Sequence, residues 1–303
     1  MSINMINKRT SASIVFEVCN LIFFGLFTII CLYPFWYILI YSISDPRQLI
    51  TGGITILPRG FTLFNFERVM KLKGISSAVV ISVLRTTVGA SATVFACSLL
   101  GYIFSKREMP ARTFLYRMLI ITMYIGGGLI PTYLLIKSYG LINNFFVYIL
   151  PATVSAYNVI LIKTFIEQLP QSLEELAMID GAGYFKIYLK LIFPLSLPII
   201  ATITVFSAVG QWNSWFDNHI YCSDIKLRTL QYMLYNFLNE SQRLARLLQE
   251  GGIGNINPRV QMALTPKGVR MTVTLLVTLP IFLVYPFMQR FFIKGIMIGA
   301  VKG

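Results

Sequence analysis

Six stretches of this chain are each long and apolar enough to cross a bilayer as a helix: residues 18–43, 78–105, 114–135, 145–164, 192–216 and 271–292. A hydrocarbon core about 30 Å thick needs about 20 apolar residues at helical rise. Within it every backbone N–H and C=O must be satisfied internally, which a helix does alone and a strand does only in a closed barrel. Only 13% of the residues are charged and 56% are hydrophobic, where an average soluble domain carries about 25% charged residues. A soluble globule is therefore excluded, and an all-α membrane protein with six transmembrane helices is expected. The first run is too long for a signal-peptide core and no small-x-small cleavage pattern follows it, so it is expected to remain as a mature span.

Gly and Pro punctuate the later runs at Gly126, Gly127, Gly128, Pro131, Pro151, Pro194, Pro198, Gly210, Pro280 and Pro286. A broken backbone bond in lipid must be satisfied by a neighbouring helix or by water, so these spans either pack together or line a wet path; the plainer reading is that Gly and Pro are common in membrane helices. The net charge of +14 reads as a membrane-surface feature with lipid as the partner and no nucleic acid, because the charges lie in loops beside hydrocarbon. Basic residues divide almost evenly between the two sets of loops. The loops on the side of the termini are shorter and denser in charge, which tilts the reading toward cytoplasmic termini.

Several chemistries are absent from the pattern. Cys19, Cys31, Cys97 and Cys222 show no C-x-x-C spacing, and His219 is the only histidine, so neither a zinc site nor a histidine-based triad is indicated. No GxxxxGK[ST] occurs, and Gly252-Ile253-Gly254 sits in a polar loop with no strand before it. No cofactor is expected on this chain, no catalytic pair of carboxylates is visible, and it reads as a non-enzyme.

Between the fourth and fifth runs lies Gln168-Leu169-Pro170-Gln171-Ser172-Leu173-Glu174-Glu175-Leu176-Ala177-Met178-Ile179-Asp180-Gly181-Ala182. Ser172 with Glu175 forms a capping-box pattern, and Pro170 closes the preceding helix. Leu173, Leu176, Ala177 and Ile179 make one apolar face of a short amphipathic helix. Gly181 ends it, and a second helical limb follows from Tyr184. A helix-turn-helix finger between two spans is the expected outcome.

Glu175-Leu176-Ala177, three residues, Gly181, nine residues, Leu191, one residue, then Phe193-Pro194 resembles the EAA signature of the permease subunits of ATP-binding-cassette importers. Leu176, Leu191 and Phe193 depart from its Ala, Ile and Leu, each keeping an apolar side chain. Trp212-Asn213-Ser214-Trp215-Phe216-Asp217 and the ending 294–303 are similar to the carbohydrate-uptake, maltose-type subfamily. Gly126 to Tyr133 and the long segment 217–270 are similar to its branch for complex or acidic oligosaccharides of the alginate and pectin type.

The resemblance implies a type I importer permease fold over 1–303 as a single domain, with a cytoplasmic coupling loop at 168–194 and an extracytoplasmic loop at 217–270. It implies alternating access through a path shared with a second homologous permease subunit. Two ATP-binding subunits would carry the ATP and Mg, and an extracytoplasmic sugar-binding lipoprotein would deliver substrate at a bacterial cell membrane, both termini of this chain being cytoplasmic. Glu174, Glu175, Ala177, Asp180 and Gly181 are the coupling candidates. The C-terminal tail, with Gly299 and Gly303, would reach the ATPase interface. A permease for peptides or amino acids would share the finger. An ATP-independent secondary transporter would show inverted repeats or several intramembrane charges, and neither is seen.

For the substrate path the candidates are Arg85, Trp212, Asn213, Trp215 and Asp217. Arg85 is the one charge well inside an apolar run; it either serves the path, where a guanidinium can hold a uronate bidentately, or snorkels to the nearby interface. The aromatics alternate with Asn213 and Asp217 as a sugar ring would require, or else form an interfacial belt. Arg243, Arg246, Arg259, Lys267 and Arg270 lie in the long outer segment, where they can steer an acidic sugar or meet the lipoprotein.

Overall fold

The computed structural model describes residues 11–46, 48, 56–249 and 267–300; within these ranges the side chains of residues 11, 12, 241, 243–249, 267 and 286–300 are outside the description. The described residues are helical apart from turns and one isolated antiparallel bridge, Ser44 with Phe61. Among the described residues, three helices are long and apolar enough to cross a membrane: α1 (Ser11–Ser42), α3 (Ile75–Ser105) and α13 (Lys267–Ala300), the last through its stretch Gly268–Tyr285. A short α2 (Phe64–Met70) precedes α3.

The other three apolar runs fold as bent pairs, not as straight rods. α4 (Arg112–Tyr124) and α5 (Leu129–Ser138) meet at 118°. The break is Gly126-Gly127-Gly128, where Gly128 takes φ +79°; without β-carbons the chain turns there at little steric cost. The 3-10 turns Phe145–Tyr148 and Leu150–Ala152, the second carrying Pro151, bend by 48° into α6 (Ala156–Ile166), whose N-cap Ser155 is extended. Residues Tyr184–Leu195, comprising α8 (Tyr184–Ile187), a π-helical turn Tyr188–Ile192 and α9 (Phe193–Leu195), meet α10 (Leu197–Asn213) at 82°. Pro198 opens α10, where its missing N–H has no intrahelical partner to lose. The segment expected as an outer loop after Asp217 is helical over much of its length: α11 (Phe216–Tyr221), a 3-10 turn Ile225–Leu227 and α12 (Leu230–Gln249). Between α6 and α8 stands α7 (Ser172–Ile179).

The chain divides into two compact units, Met1–Val69 with Glu250–Leu275 and Met70–Gln249 with Leu276–Gly303. In the first, Asn65 donates its side-chain amide to the carbonyls of Ser42 and Ser44, tying α2 to the end of α1. Ile40 and Tyr41 form a small core there with Tyr37 and Met271. Most of α1 exposes Leu, Ile and Phe on every side, a surface suited to hydrocarbon.

The second unit is organised on α3. Its buried face runs from Ile75 to Phe104 and packs on α6 and α10. Cys97, Tyr102, Ile162, Tyr188, Ile192 and Ile203 build the larger core. Close approach is set by glycine. A β-carbon on Gly89 would lie 2.7 Å from Nε2 of Gln211, and one on Gly101 would lie 2.8 Å from Cγ2 of Ile162. Gln211 cannot step aside, because it donates to the Tyr148 carbonyl at 3.1 Å and accepts from Arg85. Gly89→Ala should therefore lower the stability of the purified protein by about 1–3 kcal/mol, the usual range for overpacking. Thermal unfolding in detergent checks this against Gly25→Ala, whose new methyl group meets nothing within 4 Å and should be neutral or stabilising.

Candidate functional site

Two polar regions of the second unit collect the residues singled out in the sequence. One is the finger. α7 begins on a turn from Pro170 and Gln171, with Leu173 N–H donating to Pro170 and Glu174 N–H to Gln171. Gln171 is already in the right-handed helical region, so Ser172 lies inside the first turn and the expected capping box is not the starting device. The end is as expected. Gly181 takes φ +75°, its N–H donates to Met178, and Ala182 N–H donates to Ala177. This is the 6→1 and 5→2 pair of a Schellman motif. A β-carbon on Gly181 would meet nothing within 4 Å, so its requirement is the positive φ and not space.

The apolar positions of α7 divide between two faces, which corrects the single apolar face expected. Ala177 packs inward on the larger core with Leu169 and Ala182. Leu173, Leu176, Met178 and Ile179 are exposed, Ile179 at 82%, as are Glu175 and Asp180. Glu174 turns inward and pairs with Lys106 just beyond the end of α3. The Lys106 ammonium also lies 4.3 Å from the centroid of the Tyr102 ring. Ser98 and Tyr188 share a 2.7 Å hydrogen bond, and the Tyr102 and Tyr188 rings lie 5.5 Å apart. Positions 98, 102 and 106 thus form an i, i+4, i+8 row that holds both limbs of the finger. Arg112 and Lys163 both pair with Glu167 nearby, and a charged cleft of about 480 Å³ opens between Lys106, Arg107, Arg112, Glu167, Glu174 and Glu175.

The other region surrounds Arg85, whose side chain is only 2% exposed. It does not snorkel. Its Nη2 lies 2.5 Å from Oδ2 of Asp217 and 3.0 Å from Oε1 of Gln211; its Nη1 donates to Oδ1 of Asp217 at 3.1 Å and to the Ser214 carbonyl at 3.2 Å; its Nε donates to Gln211 at 3.2 Å. The Tyr148 ring covers one face at 4.5 Å. The bidentate partner expected of a uronate is already in place as Asp217, and all the N–H directions of the guanidinium are used. Beside this cluster lies a cleft of about 350 Å³, with Arg85, Gln211 and Asp217 in its wall.

The remaining path candidates do not line that cleft. Trp212 is buried and donates its indole N–H to the Val277 carbonyl at 2.9 Å. Its ring faces a separate apolar hollow with Val83, Pro280 and Ile281. Trp215 stacks on Tyr235 of α12 at 3.8 Å and 14°, and Asn213 is exposed at the end of α10. The aromatic stripe is therefore split by the end of α10 and the start of α11. Burial pushes the neighbouring Cys222 thiol up from its ordinary range, so it stays neutral and unreactive. Arg270 is half-buried in α13; the side chains of Arg243, Arg246 and Lys267, the residue Arg259, the 252–254 glycines and the tail beyond Ala300 lie outside the described residues.

Sequence reasoning missed Lys106, Tyr102 and Tyr188, which grip the finger, and Asn158, Ser207, Tyr157 and Phe206, which share the cleft with Arg85. Lys106 stands in a basic cluster beside an apolar run, and only its placement against Glu174 distinguishes it. Lys106→Met should leave the Glu174 carboxylate half-buried without a cation and raise amide exchange across 172–180 by an amount equivalent to about 1–3 kcal/mol. Lys106→Met with Glu174→Met should recover much of that protection; hydrogen exchange with mass spectrometry reads both.

No protein-family model matches the chain. It is 36% identical to protein LplC of Bacillus subtilis (strain 168), over 97% of each chain. It is 34% identical to the polygalacturonan/rhamnogalacturonan transport system permease protein YtcP of the same organism, over 93% of this chain and 96% of that one. Among solved structures, it resembles a bacterial ABC transporter involved in the import of the acidic polysaccharide alginate, with TM-score 0.80, 26% identity, and coverage of 93% of this chain and 98% of that one.

Proposed function

The chain belongs to the permease subunits of carbohydrate ABC transporters, and we propose that it is one membrane-spanning half of an importer for acidic oligosaccharides. It is a permease and not an enzyme, and such permeases work with partner ATPase and substrate-binding proteins. Relatives named for sugar transport favour this reading over a peptide or amino-acid permease. In the proposed arrangement the single domain 1–303 crosses the bacterial cell membrane six times, each bent pair making one span, with both termini cytoplasmic. A second homologous permease completes the path, two ATP-binding subunits carry ATP and Mg, and a sugar-binding lipoprotein docks outside on the 217–270 segment.

The observation that carries the reading is the finger. In the coupling loop 168–194, α7 is anchored by Glu174 and Ala177 and turns Leu173, Leu176 and Ile179 outward. An apolar face standing clear of its own core needs a partner, and the ATPase is the partner proposed. Closure of the ATPase subunits would move the finger, and the packed helices behind it would shift as bodies. Glu175 and Asp180 flank the docking face, and Gly181 fixes the turn behind it. Arg85 and Asp217 are assigned to the wall of the path, Asn213 to its rim, and Trp212 and Trp215 to the packing that shapes it.

A β-branched residue at Gly181 meets a backbone it cannot adopt without strain of about 1–3 kcal/mol. Gly181→Val should insert into membranes normally, yet recover several-fold less ATPase on co-purification and lose most transport; normal values for both would refute the coupling role. The substrate class is tested in proteoliposomes by comparing stimulation of ATP hydrolysis by trigalacturonate and by galactotriose at two salt concentrations. Greater stimulation by the uronate, weakening with salt, is expected; equal or greater stimulation by the neutral sugar would remove the acidic assignment and leave the importer.

A further inference from the structure

The cleft beside Arg85 is built by α3, the first turn of α6 and the second half of α10, and it contains polar groups that the protein itself does not use. Asn158 is 8% exposed. Its backbone N–H meets the Ser155 hydroxyl, but its side-chain amide has no hydrogen-bond partner among the described residues. Oγ of Ser207 is buried and likewise without a partner. Both line the cleft. The Asn158 amide is not sealed in but opens to the cleft, and an amide without a protein partner is costly there unless something polar meets it, since lipid hydrocarbon cannot. The cleft therefore calls for a polar occupant.

Two exposed rings, Tyr157 at 52% and Phe206 at 48%, stand at the same cleft. Gly210 keeps its floor open, since a β-carbon there would meet nothing within 4 Å. The charged members are spent on each other: Arg85 is saturated by Asp217, Gln211 and Ser214, and Oδ1 of Asp217 also accepts from the Asn218 N–H at 2.8 Å. A ligand carboxylate would have to displace Asp217 from a buried guanidinium. What remains available is an amide with donors and acceptors and two apolar ring faces, the complement of a sugar ring with its hydroxyl rim and C–H faces.

We infer that this cleft is a subsite for one sugar ring of the transported chain, read through its hydroxyls and its apolar face and not through a carboxylate. The inference rests on the oligosaccharide-importer reading and adds to it the residues that touch sugar: Asn158 as the hydrogen-bonding group, Tyr157 and Phe206 as ring platforms, with the Arg85–Asp217 pair as a fixed wall. The acidic character of a substrate would then be recognised elsewhere along its route.

The test uses the complete transporter in proteoliposomes with its lipoprotein, trigalacturonate and galactotriose as probes, and size-exclusion to verify assembly. Asn158→Ala and Phe206→Ala should each lower uptake about tenfold, for either probe that the wild type carries, and Phe206→Tyr should retain uptake. As a second measurement, Ala152→Cys, an exposed position in the cleft wall with no assigned contact to sugar, in a background with Cys19→Ser and Cys31→Ser, should react more slowly with a small hydrophilic thiol reagent when the transported probe is present. This decides the matter if Asn158→Ala fails to assemble. Unchanged uptake in the alanine variants, or no protection of the introduced thiol, would overturn the subsite while wild-type uptake leaves the importer standing. Loss confined to trigalacturonate, where the wild type carries both sugars, would overturn the hydroxyl-reading assignment. A wild type that imports neither probe would instead overturn the proposed function, and the subsite with it.

Discussion

A guanidinium held out of water inside an apolar helix constrains everything packed around it. A guanidinium keeps its charge, so the rest of the unit must supply the hydrogen bonds of Arg85, and it does so from far along the chain: Gln211 at the end of α10, the Ser214 carbonyl at the α10–α11 corner and Asp217 in the first turn of α11. The corner between α10 and α11 is thereby bound to α3. Tyr148 closes the guanidinium face and donates its hydroxyl to the Leu227 carbonyl, which brings in the segment leading to α12. Ser82, one turn before Arg85, accepts from the Leu230 N–H that starts α12. Removing one partner from such a buried pair leaves an uncompensated charge, which is why the arrangement behaves as a unit.

α3 carries this cluster in its first half, and the Lys106–Glu174 pair stands just beyond its C-terminal end, 21 residues from Arg85, or about 30 Å at helical rise. Between them its buried face is held at Gly89 and Gly101 with little room for adjustment, and Cys97 and Thr93 donate to the carbonyls that precede α6. A close-packed helix of this kind moves as a body and not by bending. The geometry suits a device in which displacement at the finger arrives at the cleft without being absorbed on the way.

Much of the architecture was legible from apolar run length, because the bilayer imposes that length whatever the tertiary packing. The three continuous helices appear close to where the runs placed them. The three bent pairs were not legible as bends: Gly126 to Gly128, Pro151 and Pro194 were visible as breakers, yet whether a breaker kinks a span or turns it by 118° depends on the helices that receive the two halves. The finger was legible in outline, since Pro170, the alternation of Leu and Glu and the terminal Gly181 act locally. Its division into an anchored and an outward face was not, because Ala177 and Glu174 differ from Leu176 and Glu175 only in what lies opposite them. The same holds for the path. Arg85 stands out in any sequence reading, but Asn158 and Ser207 are ordinary polar residues until their missing partners are seen, and Trp212 stands out although its indole is spent on the Val277 carbonyl.

The claim on which the account turns is that Arg85 and Asp217 stabilise the fold as a mutually compensated pair. A double-mutant cycle with Arg85→Leu, Asp217→Leu and the double variant, followed by thermal and denaturant unfolding of the purified permease complex, measures it directly. Asp217→Leu, which strands the buried guanidinium, is expected to cost about 3–5 kcal/mol, and the double variant should be more stable than that single one, giving a coupling energy well above about 1 kcal/mol. Additive losses, with the double variant destabilised by the sum of the two single changes, would contradict it.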